Sequence, residues 1–246
     1  MDPQARIAEL EAELASARQA LQDFTYAVSH DLRAPLRHIV SFSRLVQDEA
    51  GPALTDELRG FLETITQSSQ QMGQMLTGLT ELASLGRATV AWESIALQPL
   101  VAEVWAELQQ LASTQAAECA LDVGDILVRA DRQLLRVALT QCLGNACKFT
   151  PTGVPAQIRV SASLQPCDRV ELRIADQGIG WDSAQRAHLF KPFGRLHGAK
   201  GYPGLGLGLV MAQRALQKLE GQIEMTGSPS QGCTVIVVLA GASPLA

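Results

Sequence analysis

Residues Arg169 to Gly180 read R-V-E-L-R-I-A-D-Q-G-I-G. Val170, Leu172 and Ile174 fall on one side of an alternating run, the period-two signature of a strand with one buried face. One step further along that parity stands Asp176. A carboxylate is thereby aimed inward at a strand end, where it needs a donor group or a polar ligand as partner. Gly178 and Gly180 behind it let backbone come close to a flat or bulky guest. An ordinary Asp-Gly turn is the alternative.

Working outward, Gln157 to Leu164 shows the same alternation, with Ile158, Val160, Ala162 and Leu164 on its apolar side. Helical periodicity marks Pro99 to Gln115, Arg132 to Lys148 and Leu207 to Leu219, with further strands near Ala120, Ile223 and Thr234 to Leu239. Together they predict an α/β layer. Before a boundary between Leu85 and Ile95 the pattern is different. Ile7, Leu10, Leu14, Ala17, Leu21, Phe24 and Val28 alternate steps of three and four, which is a heptad seam. A parallel dimer is the simplest way to dry that stripe, and one helix packed on its own domain is the alternative. The helix is expected to run through His30 to about Val46, where D-E-A-G-P-A-L-T (Asp48 to Thr55) breaks it and offers Thr55 as an N-cap. A second helix carries Leu58, Phe61, Leu62, Ile65, Met72, Met75, Leu76, Leu79 and Leu82 on one side. The fold class is therefore α+β: an N-terminal helical hairpin forming a dimeric four-helix bundle, followed by an α/β sandwich.

Composition narrows the function. A chain of 246 residues, 47% apolar, has room for one or two domains with real cores. With 20 basic and 25 acidic residues and a net charge of −5, neither nucleic acid nor anionic membrane is an expected partner. The best apolar run, Val235 to Ala242, falls far short of the roughly 20 residues that cross a bilayer, so no membrane span is expected. Met1 to Glu13 is acidic where a secretory signal is basic and then apolar, so the expected location is cytoplasmic. Cys119, Cys142, Cys147, Cys167 and Cys233 are odd in number and form no C-x-x-C pair, which suits reduced thiols better than disulfides or a zinc site.

Three more features carry chemistry. On the helix Arg132 to Lys148, one stripe is Leu135, Leu139, Cys142, Ala146 and Phe149, and the other is Leu134, Ala138, Gln141, Asn145 and Lys148. The second stripe places an amide oxygen and an ammonium one turn apart, suited to a magnesium ion and the phosphates it bridges, with a solvated face as the alternative. The stretch Gly194 to Gly208 holds six glycines together with Arg195, His197 and Lys200, and it closes on G-L-G-L-G-L at the mouth of the last helix, where free N–H groups favour phosphate oxygens. It is neither a Walker loop nor a dinucleotide fingerprint. Finally, His30 is followed by Asp31 and Pro35. Pro35 has no N–H for the Asp31 carbonyl, so the helix is expected to loosen beside the imidazole, while Asp31 can accept a proton or set the ring tautomer.

These pieces, in this order, resemble the sensor histidine kinases. S-H-D-L-R-A-P-L (Ser29 to Leu36) resembles their H box, N-A-C-K-F-T (Asn145 to Thr150) the N box, and D-Q-G-I-G the first glycine box. L-F-K-P-F (Leu189 to Phe193) resembles the F box, and G-L-G-L-G-L the second glycine box. The segment Phe190 to Tyr202 is most similar to kinase modules found behind phytochrome and related sensory domains.

The resemblance implies a signalling coiled coil at residues 1–23, a dimerisation and histidine phosphotransfer domain at 24–90, and a catalytic ATP-binding domain of the Bergerat type at 95–242. It implies ATP-dependent autophosphorylation of His30, helped by Asp31, and phosphoryl transfer to an aspartate on the receiver domain of a separate response regulator. ATP and Mg²⁺ are the implied cofactors. Asn145 would hold Mg²⁺ and Lys148 would lie near the phosphates. Asp176 would take the adenine amino group, with Gly178 and Gly180 beside it. Phe149, Arg195, Lys200, Gly204, Gly206, Leu207 and Gly208 complete the implied nucleotide site, under a lid from about Trp181 to Pro203. A homodimer and an upstream sensor domain outside this chain are the other implied partners. The departures are Gln141, where many members carry asparagine, Ala34, where members that dephosphorylate their partner often carry Thr or Asn, and Leu205, where a small or hydroxylated residue is common. Ala34 implies weak phosphatase activity. A nucleotide-binding dimer without catalysis, or an ATP hydrolase of the gyrase or mismatch-repair kind, would have no use for the His30-Asp31-Pro35 set.

Overall fold

The computed structural model describes residues 3–111, 116–194, 202 and 204–242. The chain divides into two compact units, Met1–Arg87 and Ala88–Ala246.

In the first unit, helix α1 (Pro3–Ala50) and helix α2 (Asp56–Arg87) form an antiparallel hairpin around a 3-10 turn at Gly51–Ala53. α1 continues past Val46 as far as Ala50 and stops where Gly51 takes a positive φ and Pro52 follows. Thr55 Oγ1 accepts the Leu58 N–H at 3.3 Å, and Asp56 and Glu57 place negative charge on the first turn of α2. Pro35 leaves α1 unbroken, so the loosening expected there does not interrupt the helix. The register is set by polar contacts. Arg33 donates to Thr80 Oγ1 at 3.0 Å, and Arg87 reaches Asp23 at 3.4 Å while its guanidinium lies over the Tyr26 ring. Among the described residues, what the hairpin buries is small, namely Ser29, Ser43, Ser69 and Gly78. The large apolar side chains stay outside: Leu21 is 67% exposed, Phe24 66% and Phe42 65%. Two helices cannot enclose a core of their own, because each has one face with nothing opposite it.

The second unit is a helix layer on a mixed sheet. The strands are β1 (Glu93–Ala96), β2 (Glu118–Asp122), β3 (Leu127–Ala130), β4 (Gln157–Gln165), β5 (Arg169–Asp176), β6 (Gln222–Gly227) and β7 (Cys233–Ala240). The five-stranded sheet has the order β2-β4-β5-β7-β6, parallel only between β2 and β4, and β1 pairs with β3 in a separate ribbon. Helices α3 (Leu97–Gln109), α4 (Arg132–Lys148) and α5 (Gly208–Lys218) bury their apolar stripes, among them Leu100 and Val104, Leu135 and Leu139, and Ala212 and Leu216. The sheet answers with Val160 on β4, Val170, Leu172 and Ile174 on β5, and Val235, Val237 and Leu239 on β7. Two sequence expectations shift. The helix expected to reach Gln115 ends at Gln109, where the Gln110 and Leu111 N–H groups turn back to the Glu107 and Leu108 carbonyls. Leu164, expected on the buried side, is exposed because β2 ends opposite Ser161 and leaves the rest of β4 as an edge.

Asp131 ties the start of this unit to α4. Its Oδ1 caps the helix by accepting the Gln133 and Leu134 N–H groups at 2.9 and 3.0 Å, while Oδ2 accepts the Ala91 N–H at 2.9 Å. Lys218 donates to the Ala88 carbonyl at 3.1 Å, and the Arg129 guanidinium lies over the Trp92 ring. Burial pushes the Asp131 carboxyl up, but the bonds from Leu134, Ala91 and Gln133 outweigh it and hold the group below its ordinary pKa. A depressed folded pKa stabilises the fold above the unfolded value, and that contribution is lost as pH falls through the folded one. Asp131→Ala is expected to cost about 2 kcal/mol at neutral pH. Urea unfolding checks this, and the gap between variant and wild type should close in strong acid.

Candidate functional site

β5 ends on Asp176, whose Oδ1 accepts two backbone N–H groups, from Gly178 at 2.8 Å and from Cys233 at 3.1 Å. Neither bond uses Oδ2, so that oxygen can take a donor from a guest. Burial pushes the carboxyl pKa above its ordinary value, and the bonds from Gly178 and Cys233 recover only part of the shift. Two thiols share this environment. Burial, followed by the Asp176 charge, pushes Cys147 up to about 11 and Cys233 up to about 12, so both stay neutral and neither is an activated nucleophile.

The loop after Asp176 is strapped to the end of α4. The Ile179 N–H donates to the Phe149 carbonyl at 2.9 Å, and the Ser230 N–H to the Ile179 carbonyl at 2.7 Å. Gly180 has φ +63°, and a Cβ there would run into the Ser228 carbonyl. Phe149 caps α4, with its N–H on the Asn145 carbonyl at 3.0 Å. Lys148 holds its ammonium 4.5 Å from the centroid of the Phe149 ring, and the Tyr202 ring lies 5.5 Å from that ring.

α4 and α5 bring the glycine-rich stretch to the polar face of α4. A Cβ on Gly208, the first residue of α5, would stand 2.7 Å from Gln141 Oε1 and 3.6 Å from Asn145 Nδ2, so only glycine leaves both amides in place. A Cβ on Gly204 would stand 2.5 Å from Lys148 Nζ. The Gly206 carbonyl accepts the Phe193 N–H at 3.1 Å, and Phe193 is held at φ +61°, unusual for an aromatic residue. Leu207 is buried, so its side chain belongs to the core and only its backbone faces the helix mouth. No side chain caps α5 among the described residues, which leaves its first N–H groups open to an anion. Arg195 and Lys200 lie outside the described residues.

The second unit thus gathers Gln141, Asn145, Lys148 and Phe149 with Gly204, Gly206 and Gly208, and Asp176, Gly178 and Gly180 join them through the Phe149 carbonyl. His30 belongs to the first unit. It is exposed on α1, and its Nδ1 lies 3.2 Å from Asp31 Oδ1. A carboxylate is an acceptor only, so a neutral ring makes this contact through an Nδ1–H, which puts the lone pair on Nε2. Asp131 and Tyr202 do not stand out on a first reading of the sequence. The signal for Asp131 is an Asp directly before a periodic apolar run, and for Tyr202 a lone aromatic among glycines.

Two family models match the chain: "His Kinase A (phospho-acceptor) domain" over residues 20–88, and "Histidine kinase-, DNA gyrase B-, and HSP90-like ATPase" over residues 130–242. The chain is a histidine kinase core. The kinase is 27% identical over 231 residues to the Non-motile and phage-resistance protein of Caulobacter vibrioides, covering 91% of this chain and 27% of that protein. It is also 27% identical over 248 residues to the Cell-division control histidine kinase PdhS of Brucella suis, covering 94% of this chain and 23% of the relative. It spans about a quarter of the length of these curated relatives. In fold it is similar to full-length ShkA crystallised with AMPPNP, with TM-score 0.66, 24% identity, and coverage of 91% of this chain and 47% of that one. The histidine kinase AdeS of Acinetobacter baumannii has the same fold, with TM-score 0.57, 19% identity, and coverage of 86% and 97%.

The raised pKa of Asp176 has a definite sign. Between its ordinary and its folded value the folded kinase binds more protons than the unfolded chain, so stability falls as pH rises through that window. Asp176→Asn keeps an acceptor for Gly178 and Cys233 but puts an N–H₂ in place of Oδ2. Its melting temperature at pH 7 should equal or exceed that of wild type, with the difference vanishing below about pH 4. Adenine-nucleotide affinity, measured by calorimetry, should drop at least about tenfold.

Proposed function

We propose that this chain is the catalytic core of a two-component sensor kinase that phosphorylates His30 from ATP and passes the phosphoryl group to an aspartate on a separate response regulator. The observation that carries the reading is the His30–Asp31 contact, which frees Nε2 as a nucleophile in a chain that also holds a purine-type acceptor at Asp176. Nε2 attacks the γ-phosphorus, the bond to the β–γ bridging oxygen breaks, and ADP leaves. The Nδ1 proton rests against Asp31, whose charge steadies the imidazolium as it forms and then takes the proton or passes it to water. In the second step a proton returns to Nδ1 from Asp31 or water, a receiver aspartate attacks the phosphorus, the P–N bond breaks, and His30 leaves as a neutral ring. Phosphoryl transfer asks for positioning and charge neutralisation, which the open N–H groups at α5 and the Lys148 ammonium supply.

Asn145 would hold Mg²⁺, with the longer Gln141 amide beside it across Gly208. A neutral amide suits an ion that keeps water and draws its remaining ligands from phosphates. Bound there, Mg²⁺ would neutralise charge on the phosphates.

The apolar faces left on α1 and α2 support a homodimer, with residues 1–23 as a parallel coiled coil bringing a signal from an upstream, phytochrome-like sensory module. Residues 24–90 would then be the dimerisation and phosphotransfer domain and 95–242 the ATP-binding domain. No helix among the described residues is long and apolar enough to cross a membrane, and a cytoplasmic site of action fits the use of ATP.

Incubation with γ-labelled ATP and Mg²⁺ tests the reading. The label should be acid-labile, base-stable and absent from His30→Gln. Label that survives this substitution, or phosphate release that ignores it, would sink the proposal. Ala34→Thr, by adding a hydroxyl one turn after His30, should speed loss of phosphate from a phosphorylated receiver several-fold, measured by the decay of receiver label.

A further inference from the structure

Tyr202 lies beside the nucleotide residues, and no role is attached to it by the motifs above. Its half-buried ring meets the Phe149 ring at 5.5 Å between centroids, tilted by 44°. The same Phe149 ring carries the Lys148 ammonium at 4.5 Å, and that ammonium sits against Gly204, two residues beyond Tyr202. Tyr202 therefore meets the ring of the Lys148–Phe149 pair, and Gly204 meets its cation. The Phe149 backbone is already fixed at both ends, by the Asn145 carbonyl and the Ile179 N–H, so the orientation of the ring is set by what packs against its sides.

We propose that Tyr202 is a positioning residue for the adenine nucleotide. It holds the Phe149 ring as a platform for the purine. The inference rests on the nucleotide site proposed above. An aromatic platform free to rotate presents its face to the base only part of the time, and affinity falls by that fraction. The cost belongs to the base end of the ligand, so it is the same for ADP and ATP and does not touch the transfer step.

The test uses the full chain. ADP and ATP binding are measured by calorimetry, autophosphorylation kinetics at varied ATP, and melting temperature, for wild type, Tyr202→Phe, Tyr202→Leu, Tyr202→Ala and Phe149→Ala, the last also combined with Tyr202→Ala. Tyr202→Ala should weaken ADP and ATP equally, by about five- to tenfold, and raise KM to match with kcat within about twofold. Tyr202→Phe should restore wild-type binding, and Tyr202→Ala should add nothing in the Phe149→Ala background. Tyr202→Leu, which keeps the bulk, should bind as poorly as Tyr202→Ala, and it carries the test if the alanine variant does not fold. Unchanged binding in both Tyr202→Ala and Tyr202→Leu, full additivity with Phe149→Ala, or a fall in kcat at constant KM would overturn the proposal. Wild-type protein that binds neither ADP nor ATP would instead defeat the nucleotide reading itself.

Discussion

A carboxylate carried to the end of a buried strand must be given donors, and the second unit is arranged so that Asp176 has them. Its Oδ1 is used twice by backbone N–H groups, one from the turn that follows and one from the start of β7. Because those donors belong to different elements, the bonds also hold the Gly178 turn and β7 in register around the strand end. Oδ2 is used by neither of them, which leaves it for a donor on a guest.

α4 transmits that arrangement to the rest of the unit. At its first turn it is capped by Asp131, and at its last it delivers the Phe149 carbonyl to the loop behind Asp176. Its apolar stripe lies in the core, while Gln141 and Asn145 face Gly208 across the packed start of α5. One rigid helix therefore spaces the amides, the ammonium and the aromatic ring, and separation along the axis does the work that a flexible loop could not. His30 needs far less construction: it is exposed on α1, and its neighbour in sequence contacts the ring.

How much of this is legible in the sequence depends on how local the cause is. β5 is bounded by its own alternation and ends on the residue its parity singles out, and α4 and α5 follow from periodicity. The hairpin is readable from the Gly51-Pro52 break and Thr55. β1 and β3 are four residues each and, a single bridge from Val128 to Gly241 aside, pair with one another, so no run is long enough to show a period. The exposure of Leu164 depends on where β2 stops, a property of a strand that is distant in sequence and pairs in parallel. Pro35 is the opposite case: a strong local signal that a 48-residue helix absorbs. Asp131 and Tyr202 act through partners 40 and 53 positions away, Ala91 and Phe149, which no window of neighbouring residues contains.

The strand order carries a consequence for synthesis. β7 is the last strand in the chain, yet it lies between β5 and β6 in the sheet. Until it emerges from the ribosome, the nascent unit has a gap through its middle: β5 lacks one neighbour, β6 has none, and Asp176 is missing one of its two donors. The helical hairpin can zip outward from its turn while translation continues, whereas the ATPase-like unit must wait for nearly its whole length. Translation that stops before β7 releases an open, apolar sheet edge rather than a smaller working domain, which makes β7 the strand whose loss chaperones and proteases would notice first.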